Sequence, residues 1–367
     1  DTTYKAHFPP SAAATKTITF TEDNVHDFAW FADKRYVVRK DTAISPGTGK
    51  AITTWAAWLP AYSKQWKKAN KHLKTAVEHY GRWVGHYPYN TIKAVLGDMK
   101  AGGGMEYPTI TLIDKVATAR LEGVVIHEAG HNWFYGMLAS NEHDHPWMDE
   151  GLNSFYEQKT TKAIGKDSAS RPNKNRFDED MLYYQLAATG TDQACNLPSD
   201  AFKSLNYGMD VYYKTAAGLR WLEEYMGTAD FDAGMQDYFT TWRFHHPYPE
   251  DFKAIMQQHT TKDINWFFDG MLATDQRIDF ALRKARIADG ATVVKVKNRS
   301  SIAAPVSVIA LDGDSIVARA WTAPFTDVSI FDATFVCGNV YSGESVSLDN
   351  KRNLYRVIVG ERGVQLA

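Results

Sequence analysis

The middle of the chain carries apolar residues at helical spacing. In residues 62–83, one face of a predicted helix is apolar or aromatic, while lysines cover the other face. Residues 121–138 and 146–160 predict two more helices, and helices dominate residues 210–272. One helix in that last stretch should end at Gly227, because glycine is a typical C-terminal stop.

Strands are predicted before and between these helices. Residues 17–21 alternate polar and apolar positions, and residues 36–39 form a second short β-branched segment. We interpret these two as the last strands of a larger β domain, because so short a segment cannot bury a core alone. Helical signal starts near Ile52, and residues 92–96 and 109–113 are predicted strands ahead of the second helix.

Two changes of pattern mark candidate domain boundaries. Residues 45–49 are rich in turn-forming residues, and after about Asp279 short strands broken by Gly, Pro, Asp and Asn replace the helices. These predicted strands are residues 292–296, 306–311, 315–321, 328–331 and 355–359. We predict an α+β multidomain fold: the end of an N-terminal β domain in residues 1–45, a mixed domain in 46–280 and a small β-sandwich in 285–367.

Composition excludes several classes of function. The chain is 44% apolar and 23% charged, as soluble globular proteins are, and its formal net charge of −2 argues against binding to nucleic acid or a membrane surface. No apolar run reaches 18 residues, so we expect no transmembrane segment. Cys195 and Cys337 are the two cysteines, and we expect both to be free and buried. A periplasmic or secreted location is favoured over a cytoplasmic one.

The candidate chemistry is concentrated in residues 124–156. His127 to His131 form an H-E-x-x-H sequence, and residues four apart on a helix present two imidazoles to one ion. Glu150, on the next predicted helix, is a plausible third ligand. Two histidines and one glutamate around an open position are typical of a catalytic zinc site, so we predict one Zn²⁺ ion. Glu128 lies where a carboxylate could take a proton from a water held by the metal.

The surroundings of Glu150 support this interpretation. Its neighbours in sequence are apolar and aromatic, where an unpaired carboxylate would be costly and a positive ion would remove the cost. His143 and His145 also lie between the predicted ligands, but their polar loop favours surface positions. Asn132 and Asp149 flank the ligands, and we predict that they orient them.

The motifs resemble those of the gluzincin aminopeptidases, the family of aminopeptidase N and leukotriene hydrolase. That family has H-E-x-x-H followed after 18 residues by the Glu of W-x-x-E-G, as here. Residues 103–107 resemble its G-x-M-E-N motif, residues 212–215 its Y-x-K-G motif, and residues 85–89 its G-x-Y-P-Y turn. Residues 25–30 resemble the end of its N-terminal β domain, and the resemblance covers roughly residues 15–280.

The resemblance implies a thermolysin-like catalytic domain in residues 46–280, with a small mixed sheet and a mainly helical lobe. It also implies zinc aminopeptidase activity on peptides that have a free N-terminus. His127, His131 and Glu150 would bind zinc, and Glu128 would act first as general base and then as proton donor to the leaving amine.

The resemblance assigns the remaining site residues to the substrate. Glu106 would bind the α-amine of the substrate, and Gly103, Gly104 and Met105 would line the substrate as an added strand. Tyr212 would donate a hydrogen bond to the tetrahedral oxyanion. Tyr213 is the alternative candidate for this role, and alignment on the lysine of Y-x-K-G selects Tyr212.

The sequence departs from the family pattern in three ways. Tyr107 replaces the Asn of G-x-M-E-N, Thr215 replaces the Gly of Y-x-K-G, and we expect most of the N-terminal β domain to be absent. Two other functions therefore stay open: a metalloendopeptidase with the same site, and a catalytically silent peptide-binding module. The side-chain preference, the physiological substrate and the oligomeric state also stay open.

Overall fold

A computed structural model describes residues 14–100, 103–167, 183, 186–288, 291–312, 315–326, 328–333, 347–348, 356–359 and 362–366. Its contacts divide the chain into two compact units. The first unit comprises Asp1–Asp178, Pro198–Asp200 and Asp232–Ile255, and the second comprises Glu179–Leu197, Ala201–Phe231 and Met256–Ala367.

The first unit contains a mixed five-stranded sheet. Its strands are β1 (Val37–Ile44), β2 (Ala51–Trp58), β3 (Thr91–Leu96), β4 (Gly104–Met105) and β5 (Ile110–Ile113). They lie in the order β1-β2-β3-β5-β4. Neighbouring strands are parallel for β2 with β3 and for β3 with β5, and antiparallel for the other pairs. The predicted strands at residues 36–39, 92–96 and 109–113 are therefore confirmed.

The helix predicted to begin near Ile52 is wrong. β2 occupies this segment, and it buries every second side chain, beginning with Ile52 and Thr54 and ending with Trp58. The β-branched residues of this segment favour a pleated strand, and pairing with β1 and β3 satisfies its backbone. The turn at residues 45–49 joins β1 to β2, so this sheet crosses the predicted domain boundary at residue 45. The three-domain division stays a prediction.

The strand predicted at residues 17–21 is also wrong, because these residues lie outside any strand and Ile18 and Phe20 are exposed. The segment that follows is attached to the first unit by hydrogen bonds. Tyr89 donates its hydroxyl to the Asn24 carbonyl at 2.9 Å, and the His26 Nε2 atom lies 2.9 Å from the Tyr135 carbonyl oxygen.

Three helices of the first unit pack around the H-E-x-x-H sequence. They are α1 (Ala69–Trp83), α2 (Leu121–Gly130) and α3 (Leu152–Asp167). A short 3₁₀ turn (Pro60–Tyr62) and a short helix (Ser63–Trp66) precede α1, and a π-helical turn (Trp147–Gly151) leads into α3. α1 buries residues at i, i+3, i+4 and i+7, namely Leu73, Ala76, Val77 and Tyr80.

A tight contact fixes α2 against α1 and α3. A Cβ atom at Gly130 would lie 2.1 Å from the Asn153 Oδ1 atom and 2.4 Å from the Tyr80 hydroxyl, so only glycine fits. Tyr80 donates its hydroxyl to Asn153 Oδ1 at 2.9 Å, and the Asn153 amide donates to the His127 carbonyl at 2.8 Å. The helix that carries the candidate ligands is thus held by both neighbours.

α2 is shorter than the predicted helix at residues 121–138. It ends at Gly130, and the following residues form turns in which Tyr135 has a φ of 98°. A positive φ is incompatible with a continuing helix. The chain then leaves the turn at Ala139, whose backbone N–H donates to the His245 carbonyl at 3.1 Å.

The second unit begins its regular structure with helices. A short helix (Ser204–Asn206) leads into a π-helix (Tyr207–Lys214), which continues as α4 (Thr215–Met226). α4 ends at Met226, and Gly227 caps it with a φ of 102°, so the predicted stop is confirmed. Another π-helix (Trp266–Leu272) completes this part. Two helices lie in sequence between α4 and this π-helix, namely α5 (Thr228–Trp242) and α6 (Pro249–Gln258). A boundary between the two units falls within each of them.

Antiparallel sheets follow the helices of the second unit. The described strands are β6 (Phe280–Ala288), β7 (Ala291–Asn298), β8 (Ser307–Asp312), β9 (Ser315–Trp321), β10 (Val328–Ala333), β11 (Ser347–Leu348), β12 (Arg356–Val359) and β13 (Arg362–Leu366). One sheet has three of them in the order β10-β7-β6, and the other has five in the order β11-β12-β13-β8-β9. All five strands predicted after residue 285 are confirmed as strands.

Two further expectations concern the chain as a whole. None of the helices in the described ranges combines the length and apolar character that crossing a bilayer requires. Cys195 is free and buried, as expected, whereas Cys337 lies outside the described residues.

Candidate metal centre and active site

Three predicted ligands of the first unit converge on one point. The His127 and His131 Nε2 atoms lie 3.1 Å apart, and the Glu150 Oε2 atom lies 3.1 Å from the first and 3.3 Å from the second. Tetrahedral zinc with bonds of about 2.0–2.2 Å would separate its ligand atoms by about 3.3 Å. The three side chains therefore fit one zinc ion, and they form a possible zinc site.

Carboxylates behind the imidazoles orient their Nε2 atoms toward this point. The His131 Nδ1 atom lies 2.6 Å from Asp149 Oδ1, and the His127 Nδ1 atom lies 3.4 Å from Glu157 Oε2. An Nδ1–H group that donates to a carboxylate leaves the Nε2 lone pair free for a metal. The sequence prediction included Asp149 but missed Glu157. The position of Glu157 two helical turns after Glu150 is the sequence feature that could have indicated it.

The electrostatics of the cluster favour positive charge. Burial acts to lower the pKa of His127, but Glu150 and Glu157 outweigh it and raise the pKa to about 10. Burial likewise opposes ionisation of Glu150, yet His131 and His127 hold the pKa of its carboxyl well below its usual range. The carboxylates thus stabilise a cation among them, and a metal dication supplies that charge.

Glu128 lies beside the ligands and is almost completely buried. Its Oε2 atom makes no hydrogen bond within the described residues. Burial raises the pKa of its carboxyl to about 7; Glu106 acts in the same direction, and His127 and His131 oppose it. A carboxylate with a pKa near neutrality can both accept and return a proton.

Gly104 explains how β4 comes so close to Glu128. A Cβ atom at Gly104 would lie 2.4 Å from the Glu128 Cδ atom and 2.7 Å from its Oε1 atom. At Gly103, by contrast, a Cβ atom would meet no described atom within 4 Å. Gly104 is therefore required by packing against Glu128, whereas packing does not require a glycine at position 103.

Glu106 follows β4 directly and is 8% exposed. One of its carboxylate oxygens lies within 4.8 Å of ligand atoms from His131, Asp149 and Glu150. Within the described residues Glu106 has no hydrogen bond or ion pair. The structure therefore places a buried carboxylate, unpaired in the part of the chain that is described, beside the candidate metal position.

Asn132 holds the loop that carries Glu106. Its Oδ1 atom accepts a hydrogen bond from the Thr109 backbone N–H at 2.8 Å, and its amide donates to the Ala129 carbonyl at 2.9 Å. Asn132 was predicted to orient the ligands. Its contacts connect the end of α2 to the loop between β4 and β5. Asn132 therefore positions the loop that carries Glu106.

The two histidines of the intervening loop lie away from the predicted ligands. His143 is exposed, and its Nδ1 atom lies 2.8 Å from the Asp144 carboxylate. His145 is half-buried, and its ring packs edge-on against Tyr248 with centroids 5.8 Å apart. These contacts agree with the surface interpretation for His143 and give His145 a packing role.

Tyr212 belongs to the second unit, where it lies half-buried on the π-helix that ends at Lys214. Lys214 is fully buried, and its Nζ donates to Asp192 at 3.2 Å and to the Gln193 carbonyl at 2.8 Å. A buried cation with these acceptors fixes the last turn of the π-helix within its own unit. The predicted role of Tyr212 stays a prediction.

Comparison with known proteins identifies the family. The family model described as "Peptidase family M1 domain" matches residues 66–271, which is more than half of the chain. The chain belongs to peptidase family M1. The resemblance inferred from the motifs is therefore confirmed, and the M1 match includes all three candidate zinc ligands as well as Glu106, Glu128 and Tyr212.

Individual M1 relatives are distant and longer. A leukotriene A-4 hydrolase homolog of Botryotinia fuckeliana is 25% identical over 222 residues, which are 53% of this chain and 34% of that protein. Aminopeptidase N of Escherichia coli is 27% identical over 149 residues, 40% of this chain and 17% of that protein. The chain thus spans about a third or less of the length of these relatives.

A solved structure supports the fold of this M1 chain. The crystal structure of Legionella pneumophila aminopeptidase A in complex with aspartic acid superposes with a TM-score of 0.61 at 15% sequence identity. The alignment covers 82% of this chain and 36% of that chain. The mixed α/β fold with a small mixed sheet and helices is therefore confirmed.

The contact between Gly104 and Glu128 generates a prediction about stability. Gly104→Ala should lower the free energy of unfolding by about 1–3 kcal/mol, because the added methyl group must displace a buried carboxylate. Gly103→Ala is the matched control and should leave stability near that of the parent chain. Urea denaturation of the three proteins measures the difference, and equal stabilities for the two variants would contradict the observed packing.

Proposed function

We propose that this M1 chain is a zinc-dependent aminopeptidase that hydrolyses the N-terminal peptide bond of peptides. One observation carries the proposal: Glu106, a buried carboxylate that has no partner among the described residues, lies within 4.8 Å of candidate ligand atoms. Burying such a group is costly unless a cation binds to it. The α-ammonium group of a substrate is such a cation, and binding it beside the metal would select the first peptide bond.

In the proposed reaction each side chain has a separate role. His127, His131 and Glu150 would hold one zinc ion, which when bound would supply a Lewis acid for the carbonyl and for water. Glu128 would accept a proton from the attacking water and then donate it to the leaving amine. Tyr212 would donate a hydrogen bond to the tetrahedral oxyanion.

The strand β4 supports binding of an extended peptide. It is an edge strand of the five-stranded sheet, and Gly103 precedes it with open space at its Cβ position. A substrate could pair with the backbone of residues 103–105 as an added strand. Pairing along this edge would carry the substrate N-terminus toward Glu106, which is the next residue.

We also propose the finer features of the fold that the family resemblance implies. Residues 46–280 would form a thermolysin-like catalytic domain, and the mixed sheet followed by the ligand helix α2 supports this. The two antiparallel sheets after residue 280 would form a small β-sandwich, and their short strands support this.

Replacing the proposed general base tests the mechanism. Glu128→Gln should retain zinc and lose more than about a hundredfold in kcat, because the amide cannot accept a proton. Metal content by mass spectrometry and hydrolysis of a leucyl-coumarin substrate measure the two effects. Glu122→Gln, on the first turn of the same helix α2, is the control and should behave as the parent chain. Hydrolysis at the parent rate by Glu128→Gln would remove Glu128 from the mechanism.

Replacing the proposed amine ligand tests the exopeptidase assignment. Glu106→Ala should lower kcat/KM for leucyl-coumarin by about tenfold to a hundredfold, because a charged hydrogen bond to the α-ammonium is lost. The parent chain should cleave N-acetyl-leucyl-coumarin poorly, and Glu106→Ala should change this rate little. An equal loss on both substrates would favour a metalloendopeptidase with the same metal centre.

A further inference from the structure

Tyr212 lies midway between two buried charged residues of its π-helix. Asp210 precedes it, Lys214 follows it, and both are 0% exposed, whereas Tyr212 itself is half-buried. Asp210 and Lys214 are four residues apart and therefore share one side of the helix, and Tyr212 lies on the other side. Whatever fixes the buried side thus also sets the direction of Tyr212.

The C-terminal end of this buried side is bonded to the loop of residues 191–196. The Lys214 Nζ atom donates to Asp192 Oδ2 at 3.2 Å and to the Gln193 carbonyl at 2.8 Å. The side chains of this ion pair are 0% and 1% exposed, so water screens their attraction poorly. The pair therefore attaches the last turn of the π-helix firmly to the 191–196 loop.

The N-terminal end is bonded to the same loop. The Asp210 Oδ2 atom accepts hydrogen bonds from the Gln193 backbone N–H at 2.8 Å and from the Asn206 amide at 2.9 Å. The Asn206 amide also donates to the Thr191 carbonyl at 2.7 Å. Gln193 thus bonds to both buried residues, and the 191–196 loop spans the turn that carries Tyr212.

The 191–196 loop is held from a second direction by the end of the next π-helix. The Asn196 N–H donates to the Leu272 carbonyl at 3.0 Å, and the Arg277 Nε atom lies 3.9 Å from Asp192 Oδ1. The loop is therefore fixed between two π-helices of its own unit, and it can act as a brace for the one that carries Tyr212.

The winding of the π-helix gives such a brace a purpose. π-helices are rare and occur frequently at functional sites, and this one continues directly as α4. If the same residues adopted the tighter α-helical winding, Tyr212 would rotate relative to α4. That rotation would also move Asp210 and Lys214 away from their buried partners, which is strongly unfavourable. The buried bonds therefore select the π-helical winding.

We propose that the 191–196 loop is a brace that holds Tyr212 in the position from which it would bind the oxyanion. The inference rests on the proposed aminopeptidase function and deepens it by adding positioning residues that act through Tyr212. The brace has two buried links, formed by Lys214 with Asp192 and by Asp210 with Asn206. These residues would act through the backbone of the π-helix rather than by contact with the substrate.

Hydrogen exchange measures the brace directly, without turnover. Asp192→Asn removes the charge of one link with little change in shape, and the amides of residues 207–214 should then exchange at least about tenfold faster. Glu224→Gln, an exposed acid of α4 that pairs with Arg319, is the control and should exchange as the parent chain does. Mass spectrometry of peptic fragments gives the rates, and unchanged exchange in Asp192→Asn would refute the brace.

A double-mutant cycle separates positioning of Tyr212 from a general loss of structure. Tyr212→Phe should lower kcat for leucyl-coumarin about a hundredfold or more with little change in KM, because an oxyanion donor is lost. Asp192→Asn should lower kcat about tenfold in the parent chain and not at all in the Tyr212→Phe chain, because its effect passes through Tyr212. Asn206→Ala should behave likewise and removes no charge, so it provides the same test if Asp192→Asn does not fold.

The outcomes of the cycle are distinct. If the brace variants lower kcat equally with and without the Tyr212 hydroxyl, or leave kcat unchanged, the brace is refuted and the proposed function stands. If Tyr212→Phe keeps the parent kcat, the role of Tyr212 is refuted and the brace falls with it. The aminopeptidase assignment is then decided by Glu106→Ala alone.

Discussion

Buried negative charge beside two imidazoles is the constraint on which this active site depends. Glu128, Asp149 and Glu106 are each less than a tenth exposed, and Glu150 is nearly as buried. Four carboxylates at this depth would be strongly unfavourable without compensating cations. Protonated histidines compensate in part, and a zinc ion held by the two imidazoles and Glu150 compensates more fully. The site is thus arranged to hold positive charge, and in the proposed function part of that charge comes from the substrate.

Packing converts this charge arrangement into a defined geometry. Gly130 lets α2 approach α1 and α3 closely, and Asn153 bonds the backbone at His127, so the ligand helix cannot shift without breaking buried contacts. Gly104 brings the edge strand β4 against Glu128 in the same way. Asn132 then ties the loop after that strand to the end of α2. Each contact has a glycine or a backbone group on one side, which leaves the side chain on the other side little room to move.

Local sequence predicted the parts of the site that depend on local spacing. His127 and His131 share a helical face because they are four residues apart, and Glu150 has the spacing of a known motif. Glu157 was missed, because its contact with His127 depends on how a second helix packs against α2. The strand at Ile52 was predicted as a helix for a related reason. Its pairing partners lie outside the segment, and tertiary pairing decides strand formation more than local preference does.

Titration of zinc into the metal-stripped chain, followed with leucyl-coumarin and its N-acetyl form, tests the central claim most directly. Hydrolysis of leucyl-coumarin should rise with added zinc and level off at one ion per chain, because three side chains form a single centre. The acetylated substrate should remain uncut throughout the titration, because it lacks the ammonium group that Glu106 would bind. Full activity without metal, or equal cleavage of both substrates, would contradict the account.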